Sequence, residues 1–217
     1  MKILSPSKHR RALTAVEVLV VVAVVALAIV ILLPMFERHA HTRSPRISCV
    51  GNLKQVGLAF RIYANDNNDL YPMAVLEADG GAKEAVERGE MFRIFEVMSN
   101  ELSDPRVVIC PADDRTAATN FSNFNNSHVS YFVGLDAVGT KPDMILSGDR
   151  NIAIDDQSLS GIVSLRTNAT LAWMKSIHEH AGNIGLADGS VQQVTTPMLY
   201  QLLRNSGDGE NRILFPQ

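Results

Sequence analysis

Short catalytic motifs are lacking in this sequence of 217 residues. It contains no G-x-S-x-G turn, no G-x-x-x-x-G-K phosphate loop and no H-E-x-x-H pair, so it gives little support for an enzyme. Cysteine is also scarce. The two cysteines form no C-x-x-C pair, which excludes a zinc ribbon and a thioredoxin-like site. Internal repeats are absent too, and hydrophobic residues make up 46% of the chain, enough to fill a core.

Positive charge is scarce beyond the N-terminus. Residues 1–12 hold four basic residues and no acidic one, which leaves 16 basic and 23 acidic residues in the rest, a formal charge of −7. Nucleic-acid binding requires a clustered basic face, so no nucleic-acid partner is predicted. The basic leader instead favours retention of this end in the cytoplasm, because positive charge before an apolar run has that effect.

One apolar run dominates the N-terminal part. Residues 18–33 are 16 consecutive apolar residues, and with their flanks they form a stretch of 24, residues 13–36. As a helix this stretch would be about 36 Å long, more than the ~30 Å core of a bilayer. A strand of this length is uncommon, and a cleaved secretory signal has a shorter apolar core followed by small residues. We predict a cytoplasmic leader at residues 1–12 and a transmembrane helix at residues 13–36.

The start of this helix carries a recognisable pattern. Basic residues are followed by Ala12, by the block "LTAVE" and then by the apolar run. This order resembles the N-terminus of type IV prepilins and of the pseudopilins of type II secretion. The resemblance implies cleavage between Ala12 and Leu13 by a prepilin peptidase, which also methylates the new N-terminus. Glu17 is then the fifth residue after the cut, and Thr14 matches the usual second position.

Glu17 is costly in a membrane, because a buried carboxylate needs a partner or becomes protonated. The resemblance implies that it pairs with the N-terminal amine of a neighbouring subunit and so sets the register of a filament. The alternative is a carboxylate that reaches the membrane interface beside Arg10 and Arg11. The sequence position alone is compatible with both, and the resemblance favours the register role.

An amphipathic helix is predicted after the apolar run. Ser44 suits an N-cap, and Pro45 suits the first helical position. Apolar residues then recur every three or four positions, which predicts a helix over residues 45–64 with one face available for a sheet; these residues are Ile47, Val50, Leu53, Val56, Phe60 and Tyr63.

The rest of the chain mixes helical and strand patterns. We predict a helix over residues 81–102 and strands at residues 106–111, 129–135 and 170–174. A hairpin is predicted over residues 183–194, with a type I′ turn at Asp188-Gly189. A final helix is predicted from Thr196 to about Arg204. Helix followed by antiparallel strands predicts an α+β fold for the extracytoplasmic part, residues 37–217. The resemblance implies the pilin plan, in which a long N-terminal helix packs on a small antiparallel sheet.

A second resemblance involves both ends of the chain. The stretch beginning "RISCVGNLKQVGLAF" and the later "HEHAGNIGLADG" are similar to segments of pseudopilin-like proteins from planctomycete and verrucomicrobial bacteria. The latter contains a His, nine residues and Asp-Gly, which are His178, Asp188 and Gly189. Residues 75–125 carry no motif of this family.

Two interpretations of this C-terminal motif remain open. His178 and His180 would share a face on a strand, and with Asp188 they could form a metal site. The favoured alternative is structural, with His178 donating a hydrogen bond that fixes the hairpin and His180 exposed. No metal or other cofactor is therefore predicted.

Cys49 and Cys110 form a candidate disulfide, because a domain outside the cytoplasm permits one. The bond would close a loop of 60 intervening residues and would stabilise the fold by about 4 kcal/mol. Two buried free thiols are the alternative.

Together these patterns predict a structural subunit of the inner membrane, with its N-terminus in the cytoplasm and its C-terminal domain in the periplasm. Its partners would be the prepilin peptidase, the membrane, and copies of itself or other pilin-like subunits in a filament. The rival predictions are a membrane-anchored binding module that does not polymerise and an anchored enzyme.

Overall fold

The computed structural model describes the backbone of residues 15–40 and 45–217, and the side chains of residues 15–29 and 45–217. The predicted leader, the cleavage site at Ala12 and Leu13, and Thr14 lie outside the described residues. The chain divides between Arg43 and Ser44 into two units, which are described separately. The second unit is called the head below.

The N-terminal unit contains helix α1, Ala15–Ala40, with Glu17 in its first turn. Helix α1 continues through Pro34, although proline in a helix interior removes one backbone hydrogen bond. Every side chain described in it, from Ala15 to Ile29, is exposed, and most are apolar. A search of the described residues finds no helix long and apolar enough to cross a membrane.

The head begins with helix α2, Pro45–Asp66, at the position where the apolar spacing predicts an amphipathic helix. Its buried face consists of Cys49, Leu53, Val56, Gly57, Ala59, Phe60, Tyr63 and Ala64. This face packs against the sheet and against the short helical segments that follow. Helix α2 therefore brings residues of its first turns next to strands much later in the chain.

Short helices replace two predicted elements in the middle of the head. The helix predicted over residues 81–102 is divided into α3 (Lys83–Glu87), α4 (Phe92–Val97) and α5 (Ser99–Leu102). Gly89, with φ of +77°, lies between α3 and α4 in a conformation that ends helices. The strand predicted at residues 106–111 is wrong. Pro105–Val108 is a 3₁₀ turn, because Asp104 caps the amide of Arg106 and Pro105 suits its first position.

Nine strands form two antiparallel sheets in the described part of the head, which makes the fold α+β as predicted. The six-stranded sheet has the order β5-β9-β1-β2-β7-β8, and the three-stranded sheet has the order β4-β3-β6. The strands are β1 Tyr131–Gly134, β2 Ile145–Asp149, β3 Ile152–Ile154, β4 Gln157–Ser158, β5 Gly161–Ser164, β6 Leu171–Trp173, β7 Gly182–Leu186, β8 Val191–Val194 and β9 Arg212–Phe215.

Both faces of the larger sheet are covered. In β1, Tyr131 and Val133 join a core shared with α2, whereas Phe132 joins a second core on the other face. The second core includes the final helix α6, Thr196–Asn205, and residues of β3 and β6. Strands β2 and β3 were not among the strands predicted from the sequence.

The predicted hairpin is formed by β7 and β8, but its turn differs from the prediction. Gly189 has φ of +86°, and Asp188 is not among the residues with positive φ, so the turn is not type I′. The amide of Gly189 donates to the carbonyl of Leu186, and the amide of Leu186 donates to the carbonyl of Ser190. This is a three-residue loop in which a left-handed glycine forms a bulge.

A candidate metal centre

Four side chains with metal-ligating atoms meet inside the head. Cys49, Cys110, Asp149 and His178 each offer one ligand atom, and these atoms lie within 4.8 Å of one another. Within the described residues, this is the one group of three or more Cys, His, Asp or Glu side chains with such spacing. It is called the Cys₂AspHis cluster below.

Each residue of the cluster comes from a different part of the fold. Cys49 lies in the first turns of α2, and Cys110 follows the 3₁₀ turn Pro105–Val108. Asp149 is the last residue of β2, and His178 lies in the loop between β6 and β7. Packing of α2 on the sheet therefore assembles the cluster from residues up to 129 positions apart, the separation of Cys49 and His178.

The contacts within the cluster are short. Cys49 Sγ donates a hydrogen bond to Asp149 Oδ1 at 3.0 Å. Cys110 Sγ lies 3.3 Å from His178 Nε2, and the same nitrogen lies 3.5 Å from Asp149 Oδ2. Cys49, Cys110 and Asp149 are fully buried, and the His178 side chain is 3% exposed.

Burial and mutual contact shift the pKa values of the two thiols in opposite directions. Burial raises the pKa of Cys49, and its hydrogen bond to Cys110 acts in the same direction. The pKa of Cys110 is lowered to about 5, because hydrogen bonds from Cys49 and from His178 outweigh the opposing effect of burial. Without a cation, Cys110 therefore ionises more readily than Cys49.

The pKa values of Asp149 and His178 are also shifted. Burial raises the pKa of Asp149 to about 6, and the negative charge on Cys110 acts in the same direction. Burial alone would lower the pKa of His178, but the hydrogen bond to Cys110 and the charge of Asp149 raise it overall. The cluster is thus a compact buried set of acidic groups with one imidazole between them.

Further hydrogen bonds reach the acidic atoms from outside the cluster. Asp149 Oδ2 accepts from the backbone amide of Asn183 at 2.7 Å and from its Nδ2 at 2.9 Å. The Tyr131 hydroxyl lies 3.3 Å from Cys49 Sγ. Donors surround the sulfur and carboxylate atoms, as is typical of the surroundings of anionic metal ligands.

A strained loop holds His178. His178, Glu179 and His180 have consecutive φ values of 54°, 49° and 61°, in the left-handed region that costs non-glycine residues of order 1 kcal/mol or more each. Buried Asn151 fixes this loop. Its Nδ2 donates to three loop carbonyls at 2.7–3.1 Å, those of Met174, Ile177 and Ala181.

The loop that carries Cys110 is fixed as well. Asn52 Nδ2, from α2, donates to the carbonyl of Ile109 at 2.8 Å. Arg150, the residue after Asp149, binds both carboxylate oxygens of Asp113 at 2.8 and 2.6 Å. The Asp113 side chain is 1% exposed and that of Arg150 is 26% exposed, so the carboxylate end of this ion pair is shielded from water.

The geometry does not suit a catalytic Cys-His-Asp relay. Such a relay uses both ring nitrogens, one facing the nucleophile and the other facing the carboxylate. Here His178 Nε2 faces both Cys110 and Asp149. The donor set of two sulfurs, one imidazole nitrogen and one carboxylate oxygen instead fits a tetrahedral zinc site.

The sequence identified three of the four cluster residues and paired Cys49 with Cys110 as a candidate disulfide, but it did not associate these two with His178. His178 belongs to the cluster, but it lies in a turn rather than on a strand shared with His180. His180 is exposed, and its Nδ1 lies 3.1 Å from the carbonyl oxygen of Trp173. Asp188 accepts from the amide of Ser190 at 2.7 Å within the hairpin turn. His180 and Asp188 are thus outside the cluster.

The sequence analysis did not identify Asp149 as a site residue. All five residues of β2 are buried, so the strand lacks the alternation of apolar and polar residues by which a strand is recognised. Cys49 and Cys110 are free thiols in the structure. The disulfide stays a prediction for an oxidised form of the protein. Cleavage before Leu13 and the assembly role of Glu17 also stay predictions.

Comparison of this chain with models of protein families, with curated proteins and with solved structures gave no match.

Proposed function

We propose that this protein is a pilin-like structural subunit, anchored by its N-terminal helix and assembled through that helix into a filament of the cell envelope. The observation that carries the proposal is the contrast between α1 and α2. From Ala15 to Ile29 the side chains of α1 are all exposed and, except for Glu17, apolar, whereas α2 buries one face in the head.

An apolar helix exposed on all sides needs surroundings other than water. Lipid provides these surroundings before assembly, and neighbouring copies of the helix provide them in a filament. Helix association in lipid depends on packing and polar pairing, because burial of apolar surface gains little there. Glu17 in the first turn of α1 is the polar group of this region.

The head supports the same proposal. An amphipathic helix lying on an antiparallel sheet is the arrangement that the prepilin-type N-terminus implies. The second core, which includes α6, adds a further layer on the face of the sheet opposite α2. In the proposed filament the head forms the outer surface and contacts other envelope components.

Processing is the first test. The full chain is expressed with and without a prepilin peptidase, and its mass is measured after membrane extraction. We expect a peptidase-dependent loss of residues 1–12 and a methyl group on Leu13. A chain that keeps its leader beside an active peptidase would overturn the proposal.

Assembly is the second test. Membranes that contain the processed protein are crosslinked, and the high-mass fraction is collected by pelleting. Glu17→Ala should abolish the high-mass material, whereas Glu37→Ala, at the other acidic residue of α1, should preserve it. A wild-type protein that stays monomeric would favour the anchored binding module instead.

A further inference from the structure

We propose that Cys49, Cys110, Asp149 and His178 bind one Zn²⁺ ion in a closed structural site that ties helix α2 to the sheet. This inference concerns the head alone and is independent of filament assembly. The site differs from the one considered from the sequence, because it contains His178 but neither His180 nor Asp188.

The distances within the cluster fit tetrahedral coordination. Zinc bonds of about 2.0–2.3 Å give a tetrahedron with edges of about 3.3–3.8 Å. Two edges lie close to this range, 3.0 Å from Cys49 Sγ to Asp149 Oδ1 and 3.3 Å from Cys110 Sγ to His178 Nε2. All four ligand atoms lie within 4.8 Å of one another, so no edge has to shorten by more than about 1 Å for coordination.

The charges of the ligands match a divalent cation. With zinc bound, both thiols are thiolates beside the Asp149 carboxylate, all fully buried, and burial of such charges is costly unless a partner neutralises them. A divalent ion at the centre neutralises two of the three charges. The direct hydrogen bond from Cys49 to Asp149 is then replaced by two bonds to the metal.

The surrounding groups are already positioned for ligands of this kind. Asn183 donates twice to Asp149 Oδ2, which leaves Oδ1 for the metal. Tyr131 can donate to Cys49. The left-handed conformation of His178 and its neighbours aims the imidazole at the cluster, and a metal bond is one interaction that offsets such strain.

Burial of all four ligands indicates a structural site rather than a catalytic one. Catalytic zinc keeps an open coordination position for water or substrate, whereas structural zinc has four protein ligands. Here the ion would crosslink α2, the loop after Pro105–Val108, the end of β2 and the loop before β7.

The experiment uses the full chain in detergent, with a phosphine reductant to keep both thiols reduced. The protein is incubated with Zn²⁺ and desalted, and bound metal is measured by plasma mass spectrometry. We expect one zinc ion per chain. Reduced wild-type protein that retains no zinc would overturn the proposal.

A matched pair of variants tests the site assignment. His178→Gln should weaken zinc binding by more than about 100-fold, beyond the 10–100-fold typical of an outer partner of a metal site. His180→Gln, two positions later in the same loop, should bind zinc like the wild type. Equal binding by the two variants would exclude His178 as a ligand.

Cobalt gives a readout in the wild type itself, which does not depend on folding of a variant. Co²⁺ bound by two thiolates in a tetrahedral site gives strong sulfur-to-metal charge-transfer bands and intense visible bands. We expect both in the wild type, with the charge-transfer intensity reduced by about half in Cys49→Ser or Cys110→Ser. The weak spectrum of a six-coordinate oxygen site would contradict the proposed ligands.

Discussion

Gly57 of α2 lies against Gly189 of the β7–β8 turn, so closely that a Cβ atom on Gly57 would be 3.4 Å from Gly189 Cα. One turn further along α2, Arg61 Nη1 donates to the carbonyl of Asp188 at 2.8 Å. The Asp-Gly end of the C-terminal motif thus forms a contact with α2, while its histidine end belongs to the Cys₂AspHis cluster. One motif therefore holds α2 at two places.

Substitutions at Gly57 should depend on side-chain size. Gly57→Ala should be near neutral or stabilise by up to about 1 kcal/mol, because alanine favours helices and its Cβ just fits. Gly57→Leu should destabilise by about 1–3 kcal/mol through overpacking. The measurement is denaturant unfolding. At Gly51, where a Cβ would meet no atom within 4 Å, leucine should be tolerated, and an equal loss at both positions would contradict this explanation.

Removal of zinc should lower the thermal stability of the head. Free zinc at about 100 times its dissociation constant stabilises a protein by about 2.7 kcal/mol. For a domain of this size that corresponds to about 5–10 °C in Tm. Thermal unfolding of reduced full-length protein, with zinc or with a chelator, measures the difference. In His178→Gln the two curves should coincide, and a chelator effect of the same size there would point to another cause.

The elements predicted well from the sequence are those with local signals. The helix at α2 follows from apolar residues three and four positions apart, and the β7–β8 hairpin follows from alternating residues around Asp188-Gly189. The cluster has no comparable signal. Cys110 and His178 are 68 positions apart, and Cys49 and Asp149 are 100 apart. Only the packing of α2 on the sheet brings them together.

The Tyr131 hydroxyl should support zinc binding without contacting the metal. Tyr131→Phe removes a hydrogen bond to Cys49 and should reduce zinc affinity by about 10–100-fold. Competition with a chromophoric chelator measures the affinity. Tyr71→Phe is the control, because that buried hydroxyl bonds to the carbonyl of Ala187 at 3.2 Å, outside the cluster. Similar losses in the two variants would indicate a general effect on folding.

Asn151 should position His178 by holding its loop. Asn151→Ala leaves the three loop carbonyls without their shared donor, and we expect a loss of about 2–4 kcal/mol in the free energy of unfolding. Zinc affinity should fall as well, because the imidazole is no longer fixed. Asn168→Ala, at an exposed position, should change neither quantity. If Asn151→Ala kept the full free energy of unfolding but bound zinc more weakly, Asn151 would position His178 without stabilising the fold.

The Asp113–Arg150 pair should make the head sensitive to acid. Burial favours the neutral form of Asp113, but the hydrogen bonds from Arg150 outweigh it and lower the pKa from 3.8 to about 2. Because the folded-state pKa is depressed, this stabilisation is present above pH 4 and is lost as the pH falls to about 2. After allowance for solvent screening, it amounts to about 1–2 kcal/mol.

Comparison of Asp113→Asn with the wild type isolates this pair. Both proteins are treated with chelator, so that acid release of zinc does not contribute, and unfolding is measured at several pH values. The variant should be less stable near neutral pH, and the difference should shrink between pH 4 and pH 2. Only an ionised Asp113 can pair with Arg150, so protonation of Asp113 removes the pairing in the wild type. If the difference in the free energy of unfolding between the two proteins stayed constant from pH 4 to pH 2, the loss in the variant would be due to packing and not to the ion pair.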